Sequence, residues 1–151
     1  MKHLLIMMVC LVSIQLYGQD DALEYIDSTD EGMGLYAKPS HVKVEDKDLG
    51  IYKVWISEFI NNEDVKSTQA KLVAKFNDDK LKNTHSGKLL YYVNCKKDML
   101  GVCRAIYYDK DGKVLLSIEA CEYDVQYRDI VPDSVGESIF NYTCKVAQSK
   151  R

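Results

Sequence analysis

The sequence predicts an α+β fold, an antiparallel β-sheet of about five to six strands in a meander with a C-terminal α-helix packed on one face. Segments with alternating apolar residues follow one another with short polar turns between them, which is typical of antiparallel neighbours. The last segment has apolar residues at helical spacing instead. Cys95 ends one of the strand segments and Cys144 lies in the helical one, so the sequence suggests a helix clipped to the sheet.

Residues 1–18 are predicted to be a signal peptide. A short basic start precedes an apolar run over residues 4–16, and Gly18 is a small residue at which signal peptidase can cleave, so the mature chain begins at residue 19 or 20. A membrane anchor is the alternative, but a run of about 13 residues is too short to span roughly 30 Å of hydrocarbon. Cys10 lies inside the apolar run behind bulky residues, so we expect no lipid anchor there.

Residues 19–151 are predicted to form one domain. Without Lys2 the mature chain carries 19 basic and 23 acidic residues, a formal charge of −4, and the two signs are interspersed. This balance gives no electrostatic reason to expect binding to nucleic acid or to an anionic membrane.

The clearest strand prediction covers residues 51–60, where period-two alternation places four apolar residues on one face: Tyr52, Val54, Ile56 and Ile60. Further strands are expected at about 88–96, 99–108 and 113–122, with weaker ones at 35–37 and 41–44. Gly112 can adopt the positive φ that the tight turn before residue 113 needs. In the expected register of this hairpin, Leu116 and Ile118 share a face with Tyr108, and Tyr107 lies on the other face.

Two helices are predicted. Residues 64–76 carry an apolar stripe at helical spacing, although a long hairpin extension is the alternative for this region. The C-terminal helix begins after Ser134, which can cap it, and Glu137 completes a capping box. Its core-facing stripe consists of Val135, Ile139, Tyr142 and Val146.

Four cysteines remain in the mature chain, and they allow three disulfide pairings. A bridge from Cys95 to Cys144 would close a loop of about 50 residues and contribute on the order of 4 kcal/mol. Cys103 and Cys121 lie on adjacent strands one step out of line, so they can pair only if a bulge brings them opposite, and otherwise stay free. The chain has no Cys-x-x-Cys motif and no zinc-like ligand spacing, which favours structural disulfides over redox or metal chemistry.

No motif in the sequence predicts catalysis. There is no nucleophile elbow, phosphate loop or dinucleotide fingerprint, and His41 and His85 lie in turn-like segments. The acidic residues at 109–112 match a calcium loop only in part and fit a hairpin turn better. We therefore expect no enzyme, no metal site and no cofactor.

Aromatic residues are the remaining candidates for binding, because Tyr and Trp are favoured at protein interfaces. We identify Trp55 and Tyr107 as candidate contact residues. For Trp55 the alternative is a core position under the helix. We expect any ligand site on the exposed sheet face or within residues 61–87.

Several motifs in a fixed order resemble the surface-adhesin protein E family of Gram-negative bacteria. A strand with a tryptophan over residues 51–59 precedes YVNCKK at 92–97, IYYDKDGKV at 106–114 and IVPDSVGE at 130–137, and the series closes on Cys144. The resemblance covers most of the mature chain, so residues 19–151 are interpreted as an adhesin E-like domain.

The resemblance implies a C-terminal helix held on the concave face of the sheet by a Cys95–Cys144 disulfide, with Cys103 and Cys121 as additions to the family pattern. The family includes a homodimeric surface lipoprotein that binds host matrix proteins, plasminogen and haem. It thus implies an exported, non-enzymatic binding module, at the cell surface or in the periplasm, with an extracellular-matrix or envelope protein as ligand and a homodimer as assembly. No ligand-contacting residue is carried over.

Two alternatives remain at this point. The first is a periplasmic structural or envelope-assembly protein with the same fold and no adhesive role. The second is a small hydrolase or redox protein, which would require a thiol that reacts at neutral pH.

Overall fold

The computed structural model describes residues 21–61, 64–121 and 125–150, so the predicted signal peptide lies outside the described residues. Within them, eight strands form one antiparallel sheet. The strands are β1 (Glu24–Ser28), β2 (Met33–Ala37), β3 (Val42–Asp46), β4 (Ile51–Ile60), β5 (Ser86–Asn94), β6 (Met99–Tyr108), β7 (Val114–Glu119) and β8 (Arg128–Asp129). The α-helices are α1 (Val65–Phe76) and α2 (Val135–Ser149), and short 3₁₀ helices cover Pro39–His41 and Asp79–Asn83.

The sheet runs in the order β1-β2-β4-β5-β6-β7, while β3 pairs with the first half of β4 and β8 pairs with the start of β6. This confirms the predicted α+β class and the meander of β5, β6 and β7. The two strands beyond the expected number are β1, with the sequence EYIDS, and the two-residue β8. Both are short and largely polar, so they lack the alternation on which the strand predictions depend.

The predicted faces of the last hairpin were wrong. A bulge between Tyr107 and Tyr108 shifts the pairing, so Leu116 lies opposite Tyr107 and Ile118 lies opposite Ala105. Leu116 and Ile118 therefore share the face of Tyr107. One extra residue in a strand moves every following side chain to the other face, and the turn sequence alone does not reveal it.

Both helices pack on the same side of the sheet, which we call the covered face. Val54, Ile56 and Val93 are fully buried there beneath α2. Toward the other end of the face, Met33 and Tyr107 form a second buried cluster with Leu72 of α1 and with Leu81. The opposite side, which carries Trp55, is the open face.

Helix α2 is fixed by covalent, polar and apolar contacts. A disulfide joins Cys144 to Cys95 at the end of β5, with the two Cα atoms 5.8 Å apart, which confirms the predicted clip. Ser134 caps the helix as predicted, since its Oγ accepts a hydrogen bond from the Glu137 backbone N–H at 3.2 Å. The Glu137 carboxylate accepts from the Asp133 N–H at 2.7 Å, one residue before the usual capping-box donor.

Helix α1 confirms the helix prediction for residues 64–76, and the hairpin alternative was wrong. Asp64 caps it by accepting from the Ser67 N–H at 3.2 Å. Only Thr68 and Leu72 are buried among its residues. The helix is also fastened to the β1–β2 turn, where the Lys71 Nζ donates to the Asp30 carbonyl at 3.0 Å.

In the acidic turn after β6, an aspartate side chain is hydrogen-bonded to the backbone of the turn itself. The Asp109 Oδ1 accepts hydrogen bonds from the backbone N–H groups of Asp111 and Lys113, each at 2.9 Å, and Gly112 takes a φ of +79°. The carboxylate thus closes the hairpin, as the turn interpretation requires. In the described part of the chain, neither helix is long and apolar enough to cross a membrane.

Candidate functional site

A cleft of about 480 Å³ opens on the covered face between α1 and the start of α2. Its floor consists of strand residues from β4, β5 and β6, namely Glu58, Leu89, Tyr91, Ala105 and Tyr107. Leu72, Lys75 and Phe76 of α1 form one wall, and the β1–β2 turn forms the rim beside them. The cleft is mostly apolar, with one acidic side chain at its floor.

That acidic residue, Glu58, lies on the inward face of β4 between Ile56 and Ile60. It is only 3% exposed, and its Oε2 has no hydrogen-bond partner among the described residues. Gly87 lies directly across from it on β5, where an added Cβ would approach the Glu58 Oε2 to 2.8 Å. The missing side chain at Gly87 therefore makes the space that the carboxyl group occupies.

Burial raises the pKa of Glu58 from its usual 4.5 to about 7, because the charged form loses its hydration. The positive charge of Lys75 lowers this pKa, the negative charge of Glu31 raises it, and a hydrogen bond from Tyr107 lowers it. Desolvation outweighs the others, so the carboxyl group is poised to gain or lose a proton near neutral pH.

Two tyrosines flank the carboxyl group. Burial raises the pKa of the Tyr107 hydroxyl, and the charge of Glu58 raises it further. The same two causes raise the pKa of Tyr91. The Tyr107 ring also packs against Phe76 of α1, with the ring centroids 5.4 Å apart. These hydroxyls stay protonated at any physiological pH, and that of Tyr107 donates the hydrogen bond that lowers the pKa of Glu58.

An ion pair closes the rim of the cleft. The Lys75 Nζ lies 2.6 Å from the Glu31 Oε1, and the Lys75 side chain is 52% exposed. Burial raises the pKa of Glu31, but the hydrogen bond and charge of Lys75 outweigh this, so the net pKa is lowered. Lys75 thus forms its ion pair with Glu31 at the rim, while its positive charge still lowers the pKa of Glu58.

The open face carries a continuous group of half-exposed aromatic and aliphatic side chains. Tyr25, Tyr36 and Phe59 form a ladder, with centroid separations of 5.4 and 5.7 Å and edge-on geometry. Trp55 lies in the same face, beside Leu90 of β5, so its core alternative was wrong. Four more half-exposed residues complete the face: Leu90, Tyr92, Ile106 and Tyr108.

The two candidate contact residues lie on opposite sides of the sheet. Trp55 is half-buried on the open face, where it stays a candidate contact residue. Tyr107 is 4% exposed on the covered face and belongs to the cleft. They therefore do not form one surface, because Tyr107 lies opposite Gly87, which lies opposite the inward-facing Glu58, so its side chain is on the covered face.

The second cysteine pair is also joined. Cys103 and Cys121 form a disulfide, with the two Cα atoms 4.9 Å apart. The pairing of β5 with β6 skips Cys103, because Leu90 lies opposite Arg104 while Tyr91 lies opposite Val102. The bulge that this bridge requires is therefore present at the cysteine itself.

The sequence prediction missed Glu58, although it named Tyr107, which lies beside it in the cleft. The available signal was a single acidic residue at an inward position of an otherwise apolar strand face, with Ile56 before it and Ile60 after it. Gly87 could not be connected with it, since the match depends on the register between β4 and β5.

Comparison with protein families places residues 24–145 within the model of surface-adhesin protein E. The chain belongs to the surface-adhesin protein E family. This confirms the resemblance drawn from the motif order, and the match contains the cleft and most of the open face. No curated protein sequence matched the chain.

Solved structures of protein E from Haemophilus influenzae resemble this chain. One form of protein E from Haemophilus influenzae, with selenomethionine, is 14% identical with a TM-score of 0.48, and the alignment covers 83% of this chain and 95% of that one. A second structure of this protein is 14% identical with a TM-score of 0.47, covering 85% and 95% of the two chains. Crystal form II is 13% identical, with a TM-score of 0.47 and coverage of 85% and 98%.

Proposed function

We propose that this protein is an exported, non-enzymatic adhesin that binds an extracellular-matrix or envelope protein at the cell surface. Membership of the surface-adhesin protein E family supports the class of function. The observation that carries the proposal is the open face, on which an aromatic ladder and Trp55 remain half-exposed although the core has been completed on the other side.

The open face has the chemistry of a protein-binding surface. Tyrosine and tryptophan supply large apolar area together with a polar group, and they lose little conformational entropy when they become fixed. Tyr25 is 60% exposed and Phe59 is 39% exposed, so the ladder is accessible at both ends. Charged residues lie beside it, including the Lys53–Glu45 ion pair at 2.7 Å. An apolar centre with a charged margin is typical of protein interfaces.

The test is binding of the purified mature protein to immobilised matrix proteins, with Tyr36→Ser/Phe59→Ser as the variant of the open face. Leu49→Ser is the matched control, because Leu49 is an exposed apolar residue in a turn outside the ladder. We expect the double variant to lose at least about tenfold in affinity, as for aromatic hot spots, and the control to bind like the unchanged protein. If the double variant bound as tightly as the control and the unchanged protein, the open face would be excluded as the contact surface.

Surface display is tested separately by adding protease to intact cells. The adhesin proposal expects the protein to be degraded while a periplasmic marker survives. Protection of both would support a periplasmic structural role and would contradict adhesion.

A further inference from the structure

The cleft on the covered face has a role as a ligand site that does not depend on adhesion by the open face. We propose that it is a binding site for a primary alkylammonium group, whose nitrogen pairs with the Glu58 carboxylate at the floor while its hydrocarbon chain lies against the apolar walls. The observation behind it is the juxtaposition of a buried carboxyl oxygen without a partner and an apolar cleft that leads to it.

Glu58 requires a partner that the described part of the chain does not supply. A buried carboxylate is costly unless a charge or several hydrogen bonds compensate it. Tyr107 supplies one hydrogen bond, and the Oε2 remains without any. A ligand with a positively charged donor would satisfy this oxygen with a charge-assisted hydrogen bond, which is about twice as strong as a neutral one.

The two cations in the cleft lining are already paired elsewhere. Lys75 forms its ion pair with Glu31 at the rim, and the Arg104 Nε lies 3.4 Å from the Glu119 Oε2. Neither of them forms an ion pair with Glu58. A positively charged ligand can therefore supply the charge that compensates the Glu58 carboxylate.

The walls of the cleft select the rest of the ligand. Leu72, Leu89 and Ala105 offer apolar contact around the carboxyl group, and Phe76 with Tyr107 adds two aromatic rings. A volume of about 480 Å³ admits a short alkyl chain with its ammonium group. Apolar walls with one convergent polar group are characteristic of small-molecule sites.

Binding should depend on pH through Glu58 and the charged groups that face it. Desolvation raises the pKa of this carboxyl group most, and Lys75 of α1, Glu31 of the β1–β2 turn and Tyr107 of β6 also act on it. Tyr91 of β5 faces it as well, and burial together with the charge of Glu58 raises the pKa of that hydroxyl. An ammonium ligand binds the ionised form and releases the proton. Its affinity should therefore rise with pH until Glu58 is ionised and then level off.

The test is an NMR titration of the mature protein with n-pentylamine at pH 8, with 1-pentanol as the uncharged match. We expect saturable shifts of the Glu58 side-chain carboxyl carbon and of amides in β4, β5 and α1, with pentanol at least about tenfold weaker because it lacks the charge. Glu58→Gln should lose at least about tenfold in amine affinity. Glu45→Gln, which removes an acid from the end of the sheet outside the cleft, should bind like the unchanged protein.

A lysine side chain of a protein and a free small amine share this chemistry. A blocked Ala-Lys-Ala peptide distinguishes them: binding as tight as that of pentylamine assigns the cleft to protein lysines, and binding of pentylamine alone assigns it to free amines. Equal binding of pentanol and pentylamine, or unchanged affinity in a folded Glu58→Gln variant, would overturn the proposal. Gln is nearly isosteric with Glu, and the variant's own amide spectrum shows whether it is folded.

Discussion

The two ends of the covered face are closed by different chemistry. At the α2 end, the helix contributes Ile139, Val146 and Ala147 to an apolar core and is joined to β5 by the Cys95–Cys144 disulfide. At the α1 end, the helix buries one large apolar side chain, Leu72, and most of its other attachments are polar. The α2 end is therefore a fixed support, while the α1 end is a lighter cover over the cleft.

Four buried polar atoms lack a hydrogen-bond partner among the described residues, and two of them lie at the lighter end; the others are the Arg104 Nε and the Tyr142 hydroxyl. Glu58 and Thr84 are both buried there, and the Glu58 Oε2 and the Thr84 Oγ1 have no hydrogen-bond partner among the described residues. Natural proteins retain few such groups, because each costs about 1–3 kcal/mol. The α2 end therefore supplies covalent and apolar support, while the α1 end carries the cleft with its buried carboxyl group.

The largest expected effect follows removal of the clip. Cys95→Ser/Cys144→Ser should lower the free energy of unfolding by about 4 kcal/mol, because the bridge closes a loop of 49 residues in the unfolded chain. Urea unfolding followed by circular dichroism measures the loss. Cys103→Ser/Cys121→Ser is the control: its loop spans 18 residues, so its predicted loss is about 1 kcal/mol smaller. A greater loss in the control would contradict the view that the clip is the main support.

The next largest effect concerns the pH dependence of stability. Glu58 ionises near pH 4.5 in the unfolded chain and near 7 in the folded protein, so the folded state holds more protons between these values. Stability should therefore fall as pH rises from 4.5 to 7, by about 3 kcal/mol in total. In Glu58→Gln this fall should disappear, which makes the variant more stable than the unchanged protein at pH 8.5. Urea unfolding at a series of pH values measures both, and a parallel fall in the variant would show that other groups cause it.

A smaller effect is expected for the apolar contact of α1. Leu72→Ala should destabilise by about 2 kcal/mol, at the low end for a buried leucine, since the surrounding helix is largely exposed and can relax into the space. Hydrogen exchange should show faster opening confined to α1 and the adjacent 3₁₀ helix. Ile139→Ala is the matched substitution at the α2 end, and its effect should extend to the central strands. If both variants open the same amides, the two ends are one cooperative unit.

The sequence predicted the α2 end far better than the α1 end, for physical reasons. Strand β4 and the Ser134 cap follow from local patterns, so their positions could be predicted without knowing any neighbour. The position of Glu58 over Gly87 depends on the pairing of β4 with β5, and the inward position of Tyr107 depends on the pairing of β5 with β6. The helix at residues 65–76 was predictable, but its own pattern does not say which face of the sheet it covers.

The smallest effect on stability has the most specific readout. Lys75→Met should change the free energy of unfolding by less than about 1 kcal/mol, because its ion pair with Glu31 is half-exposed and screened by water. The same change removes the positive charge that lowers the pKa of Glu58, so that pKa should rise, as measured by NMR of the side-chain carboxyl carbon. Glu31→Gln should lower it, since Glu31 acts in the opposite direction.

Lys71→Met is the control, because Lys71 fastens the same helix to the Asp30 carbonyl and is not among the groups that act on Glu58. Opposite shifts in the first two variants and none in the third would show that the rim pair tunes the floor of the cleft, whereas equal shifts in all three would mean that α1 simply moves when its attachment is weakened.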